Sequence, residues 1–169
     1  KKGRLEEALI ECQKAILIRP RYAVAYNTKG SIHNLKGEID SAESCYREAI
    51  NLKEYFFDAY NNLGSVLRVR GEAYEAIAAY KKVLLSDPHS PEAYNNLGNV
   101  HMDIGNFQDA EKCYREAINN NSYFLETHSN LLFLYASVNV KSERYLIEAK
   151  KYGEKVSSAI NQKFCYLRF

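Results

Sequence analysis

The residues in this chain with the clearest capacity for recognition chemistry are paired asparagines. The stretch "AYNNLG" occurs at Ala59–Gly64 and again at Ala93–Gly98, and a looser copy, "AYNTKG", lies at Ala25–Gly30. The starts are 34 residues apart each time. An asparagine amide offers an acceptor and two donors, which suits the single donor and single acceptor of a peptide group. Amides set at a fixed interval could grip an extended peptide by its backbone, whatever its side chains. No glycine-rich phosphate loop accompanies them.

The elements that would position these amides follow from the 34-residue period. Gly3, Gly37, Gly71 and Gly105 form one column, and Ala8, Ala42, Ala76 and Ala110 another. Gly30, Gly64 and Gly98 form a third, Tyr26, Tyr60 and Tyr94 a fourth, and Cys12, Tyr46, Tyr80 and Tyr114 a fifth. Pro20 and Pro88 share a sixth, where Glu54 and Ser122 replace proline. Ala59, Tyr60, Leu63, Val66 and Leu67 recur at helical spacing, as do Ala76, Ile77, Tyr80, Val83 and Leu84, so each repeat holds two one-sided helices. Gly64 and Gly98 fall inside the first helix, where glycine costs about 1 kcal/mol; close approach of a neighbouring helix is the usual reason. Gly71 and Gly105 fall at the turn, where a left-handed residue ends a helix. Ser90-Pro91 reads as an N-cap and a first helical position.

These columns resemble the tetratricopeptide repeat, whose 34-residue pattern runs W-x2-L-G-x2-Y, then A-x3-F, then P. Tyr stands here for the first Trp; Leu63-Gly64 and Leu97-Gly98 keep the Leu-Gly pair, and Lys29 breaks it. His33, Leu67 and His101 replace the second aromatic. The resemblance implies an all-α, right-handed superhelical solenoid of antiparallel helix pairs. The organisation expected is a half repeat over 1–22, full repeats over 23–56, 57–90 and 91–124, a degenerate closing pair over 125–160 and an apolar tail over 161–169. The chain then begins with a second helix that lacks its partner. Because end repeats need a polar outer side, residue 1 reads as a fragment boundary.

The period decays after Phe124. "THSNLL" at Thr127–Leu132 occupies the place of "AYNNLG", with His128 for Tyr and Leu132 for Gly. Ser142 is expected to cap a helix running to about Ile160, with the stripe Leu146, Ala149, Gly153, Val156 and Ile160 turned inward. "HSNLLFLY" followed by "EAKKYGEKV", with Tyr152-Gly153-Glu154, resembles the junction in O-linked N-acetylglucosamine transferase-like and SPINDLY-type enzymes. That resemblance implies a substrate-recruiting arm whose catalytic domain lies outside this chain.

Numbering each repeat from 23, 57 and 91, positions 2, 5, 9 and 12 form a stripe beside the packed face. It reads Val24, Asn27, Ser31, Asn34; Asp58, Asn61, Ser65, Arg68; and Glu92, Asn95, Asn99, Met102, with Thr28, Asn62, Asn96 and Asn130 bordering it. In the tetratricopeptide fold this stripe is the concave surface. The candidate peptide-binding residues are therefore Asn27, Asn61, Asn62, Asn95, Asn96, Asn99, Asn130 and Arg68. Helices pack about 8–10 Å apart and an extended peptide advances about 3.3 Å per residue, so one rung would meet roughly every third residue. The transferase-like resemblance implies the same use for Asn62, Asn96 and Asn130. A carboxylate clamp for an acidic C-terminus would need basic residues where Asn27, Asn61 and Asn95 stand.

Other chemistry finds little footing. His33 and His101 are two repeats apart, roughly 20 Å by helix packing, too far to share a metal. Cys12, Cys45, Cys113 and Cys165 contain no C-x-x-C pair, so zinc spacing is absent and reduced thiols are expected. Cys45 and Cys113 lie beyond disulfide reach. His128 and Ser129 are adjacent on a helix and do not face each other. Asn120-Asn121-Ser122 reads as a chance glycosylation match. The 169 residues carry a net charge of +2 and only short basic clusters at Lys1–Arg4 and Lys150–Lys155, which argues against nucleic acid. No apolar run approaches the roughly 18 residues of a membrane span. The reading is a cytoplasmic, non-enzymatic interaction scaffold without cofactor or metal, binding a protein or extended peptide. The alternatives are the transferase arm and a module that self-associates through its first helix or tail.

Overall fold

The computed structural model describes residues 2–138 and 142–165, with side chains from 3–138 and 143–158. Among the described residues the chain is all helix: α1 Lys2–Ile18, α2 Ala23–Leu35, α3 Ile39–Leu52, α4 Phe57–Arg70, α5 Ala73–Ser86, α6 Pro91–Asp103, α7 Phe107–Asn120, α8 Leu125–Ser137 and α9 Ser142–Cys165. They fall into two compact units, Lys1–Pro88 and His89–Phe169. In the first, α2 packs on α3 and α4 on α5, with α1 against α2 and α3 against α4. In the second, α6 packs on α7 and α8 on α9, with α7 against α8. This is the architecture of repeated antiparallel helix pairs that the columns predict.

The columns now have physical causes. A Cβ placed on Gly30, Gly64 or Gly98 would come within 2.7, 2.8 and 2.6 Å of the rings of Tyr46, Tyr80 and Tyr114. The glycine and tyrosine columns are therefore one contact, a ring laid on a helix backbone. Each of these tyrosines is 1% exposed, and burying a large side chain of this kind contributes about 1.5–3 kcal/mol. The alanines of the second helices, Ala42, Ala76 and Ala110, are fully buried where the paired helices pack.

The first helices α2, α4 and α6 end by the same device, at Gly37, Gly71 and Gly105. Gly71 lies at φ 81 in the left-handed region, the Gly71 N–H donates to the Arg68 carbonyl, and the Glu72 N–H reaches back to Leu67 O at 2.9 Å. This is a Schellman closure, which glycine permits at no steric cost. At the opposite kind of boundary Ser90 caps α6, its Oγ accepting from the Ala93 N–H at 3.3 Å, with Pro91 in the first turn.

The closing pair departs from the expectation. The helix α9 continues past Ile160 to Cys165, since Asn161–Cys165 contains no glycine or proline to stop it. Its packed stripe is also rotated. Leu146 is 62% exposed and Gly153 is exposed, while Glu148 is 4% exposed and Tyr152 and Lys155 are half-buried. The cause is a polar pair described below. Ala149 and Val156 are half-buried as the stripe predicts; the side chains of Ser142 and Ile160, and residues 166–169 of the tail, lie outside the described residues.

Candidate functional site

The paired asparagines are bonded to one another between successive first helices. In the first unit the Asn62 Nδ2 donates to Asn27 Oδ1 at 3.1 Å. In the second the Asn130 Nδ2 donates to Asn95 Oδ1 at 3.0 Å and to Asn99 Oδ1 at 3.1 Å. The rule is directional: the amide at position 6 of one repeat donates backwards to the amide at position 5 of the repeat before. Neutral hydrogen bonds of this sort contribute about 1 kcal/mol net and set the orientation of both amides.

The residues divide by how much capacity remains. Asn27, Asn61, Asn62, Asn96, Asn99 and Asn130 are half-buried and Arg68 is exposed. Asn95, expected to face a peptide, is instead 1% exposed. Its Oδ1 accepts from Thr127 Oγ1 at 2.9 Å and from Asn130, and its Nδ2 donates to Glu126 Oε1 at 3.1 Å. It is a buried post that orients Asn130. Asn99 Oδ1 also accepts from the Tyr114 hydroxyl at 2.8 Å, so the buried tyrosine column touches the amide stripe. After these bonds Asn62 retains one N–H and its carbonyl, Asn27 its NH2 group, and Asn130 its carbonyl. Thr28, which departs from the position-6 pattern, turns its hydroxyl back to Val24 O at 2.9 Å.

The "THSNLL" segment does structural work. His128 is 2% exposed and bridges α8 to α9, with Nδ1 3.1 Å from Glu148 Oε1 and Nε2 3.1 Å from Ser122 O. A carbonyl only accepts, so Nε2 carries a proton. Glu148 sits 34 residues after Tyr114, in the tyrosine column, and Leu132 replaces the glycine such a ring would cover. The substitutions are coupled: without the glycine there is no seat for a ring, and a carboxylate paired to the histidine takes its place. Sequence reasoning missed Glu148, though extending the tyrosine column by one period would have found it. Nearby, Tyr135 donates to Glu111 Oε1 at 2.7 Å and accepts from Arg115, and burial together with the Glu111 bond pushes its hydroxyl up to about 12. Burial alone pushes Tyr80 to about 12.

Among the described residues no cluster of three His, Cys, Asp or Glu side chains could hold a metal. His33 is tied to Glu38 at 2.6 Å across the turn. Cys12, Cys45 and Cys113 form no disulfide among the described residues, and burial raises Cys12 and Cys45 above the usual thiol range, which keeps these two unreactive. No helix among the described residues is long and apolar enough to cross a membrane.

Comparison with known proteins agrees with the repeat. Tetratricopeptide-repeat family models match residues 23–56, 64–105 and 91–124, and the chain carries tetratricopeptide repeats. No curated protein matches the sequence. Among solved structures, a crystal structure of MamA is 21% identical, with a TM-score of 0.86 over 95% of this chain and 93% of that one. A MamA fragment, 41-end, from Desulfovibrio magneticus RS-1 is 18% identical, with a TM-score of 0.84 over 93% and 88%. At such identity the likeness shows the shared all-α fold. The family matches stop at residue 124, so the transferase-like junction gains no support from them.

Proposed function

We propose that this tetratricopeptide-repeat chain is a protein-interaction scaffold that holds extended peptide segments along the amide face of its first helices. The observation that carries the reading is the bonding between amides. Asn27 and Asn99 orient Asn62 and Asn130, and each oriented amide keeps a group to offer. Such preorganisation lowers the cost of ordering a site on binding. Asn62, Asn96 and Asn130 are the contact residues in this reading, with Asn27, Asn61 and Asn99 beside them. Asn95 acts through Asn130, and Arg68 adds the one cation on the stripe.

The transferase-arm reading rests on the His-Ser-Asn-Leu-Leu stretch, and His128 there already has a packing role. Self-association through the first helix has one observation in its favour. Ala8 and Ala15 are half-buried where Ala42 and Ala49 are fully buried, and Leu17 and Ile18 are 73% and 79% exposed. The test is binding of arrayed extended peptides to wild type and to Asn62→Ala/Asn96→Ala, with the mass followed against concentration. Loss of peptides in the double variant supports the amide face; equal binding by both overturns it.

A further inference from the structure

A groove lies where α3 and α5 flank α4. Two cavities adjoin there. One, of about 200 Å³, is lined by Tyr60, Leu63 and Leu67 and by Arg47, Glu75, Ala78, Ala79 and Lys82, with Glu75 held by Arg47. The other, of about 150 Å³, is bounded by Tyr55, Phe57, Tyr60 and Leu85, with Lys82 again and Glu54 at its rim. Tyr60 and Lys82 belong to both. Tyr55 and Leu85 are 70% and 75% exposed.

The chain contains its own control for this groove, because sister repeats carry the same columns. Leu67 stands where the others have His33 and His101, and Ala78 where they have Ser44 and Lys112. Ala79 stands for Cys45 and Cys113, and Leu85 for Asn51 and Asn119. Lys82 reverses the charge of Glu48 and Glu116. Five departures in one repeat, four of them towards smaller or more apolar side chains, all line the same pair of cavities. Repeat packing alone does not ask for this, since the sister repeats build the same helix pairs without it.

We propose that this groove docks a peptide segment carrying one acidic residue between two bulky apolar side chains. The two cavities take the apolar groups, and Lys82, which enters no ion pair among the described residues, takes the carboxylate. Arg47 is already spent on Glu43 and Glu75, each at 2.7 Å, so Lys82 is the cation available to a ligand. Glu54 and Glu75, which also line the two cavities, disfavour a second acid. The site is independent of the amide face.

The probes are two short labelled peptides, Ser-Gly flanks around Leu-Asp-Phe or Leu-Lys-Phe, titrated into the full chain by fluorescence anisotropy, with methyl NMR to locate binding. Leu-Asp-Phe should bind and shift the methyls of Leu63, Ala78 and Leu85. Lys82→Glu should weaken it about tenfold and favour Leu-Lys-Phe. Ala78→Gln, which fills the cavity wall without adding charge, should weaken both. Both positions are exposed. Lys82→Glu installs the glutamate that the sister helices carry in this column, and glutamine is a good helix former, so the fold is preserved. Asn62→Ala should leave this binding unchanged. Equal binding of the two peptides, indifference to Lys82→Glu, or no methyl shift at saturating peptide would overturn the assignment.

Discussion

Replacing Gly64 by alanine sets two known effects against each other. In an open helix the change stabilises by about 1 kcal/mol, because alanine loses less backbone freedom. Here the new Cβ would lie 2.8 Å from two carbons of the Tyr80 ring and 3.0 Å from a third. Ordinary carbon contacts begin near 3.5 Å, so the overlap is about 0.7 Å. The ring, 1% exposed, cannot swing into solvent. Overpacking of this kind costs about 1–3 kcal/mol, which leaves a net loss of up to about 2 kcal/mol, with about 1 kcal/mol as the central value, once the helix gain is subtracted. Gly153 supplies the control: it is exposed, and a Cβ there meets nothing within 4 Å. Urea unfolding followed by circular dichroism should therefore show Gly64→Ala lowering the midpoint by about 0.5 M, and Gly153→Ala raising it, at unchanged slope. Adding Tyr80→Leu should remove most of the Gly64→Ala penalty. If Gly64→Ala stabilises as much as Gly153→Ala, the glycine column is not a ring seat and the account of the repeat contact fails.

Two other outcomes follow from the buried polar groups. Glu148→Leu strands His128 beneath α9 and should cost about 3 kcal/mol, releasing α9 first in hydrogen exchange, whereas Glu148→Gln keeps a partner for Nδ1 and should cost under about 1 kcal/mol. Equal costs would mean the pair does not hold the helix. On the alkaline side, Tyr80 and Tyr135 are raised to about 12, above the usual value near 10. The stability they contribute is complete below about pH 10 and is lost as pH rises through about 12; for Tyr80 alone it is about 3 kcal/mol. Tyrosinate absorbance should rise in two stages, the later one coinciding with loss of helicity. A single stage near 10 with helicity intact would contradict this.

The repeat was legible because a contact that recurs every 34 residues writes itself into several columns at once. Gly64 and Tyr80 are both visible as columns, and the structure shows them to be two halves of one contact. Helix ends were legible for the same reason, through Gly71 and Ser90. What the sequence conceals is partnership between residues in neighbouring repeats. Asn62 and Asn27 look like parallel rungs in a list of letters, yet one donates to the other. Asn95 belongs to the stripe by number, but Glu126 and Thr127 close over it. The face of α9 was misplaced because Glu148 is polar, and only its bond to His128 explains its burial. The groove beside Lys82 was also hidden, since it requires comparing departures from the repeat rather than agreements with it.

The central claim is that oriented amides read a peptide backbone. The most direct measurement is the affinity of one array-selected peptide and its backbone N-methylated counterpart for wild type and for Asn62→Ala/Asn96→Ala, with helicity checked in both proteins. The account predicts that N-methylation and the double substitution each abolish binding, that combining them adds nothing, and that side-chain changes in the peptide matter less. Retained binding by the N-methylated peptide, or by the double variant, would contradict it and leave the asparagines as ties between repeats.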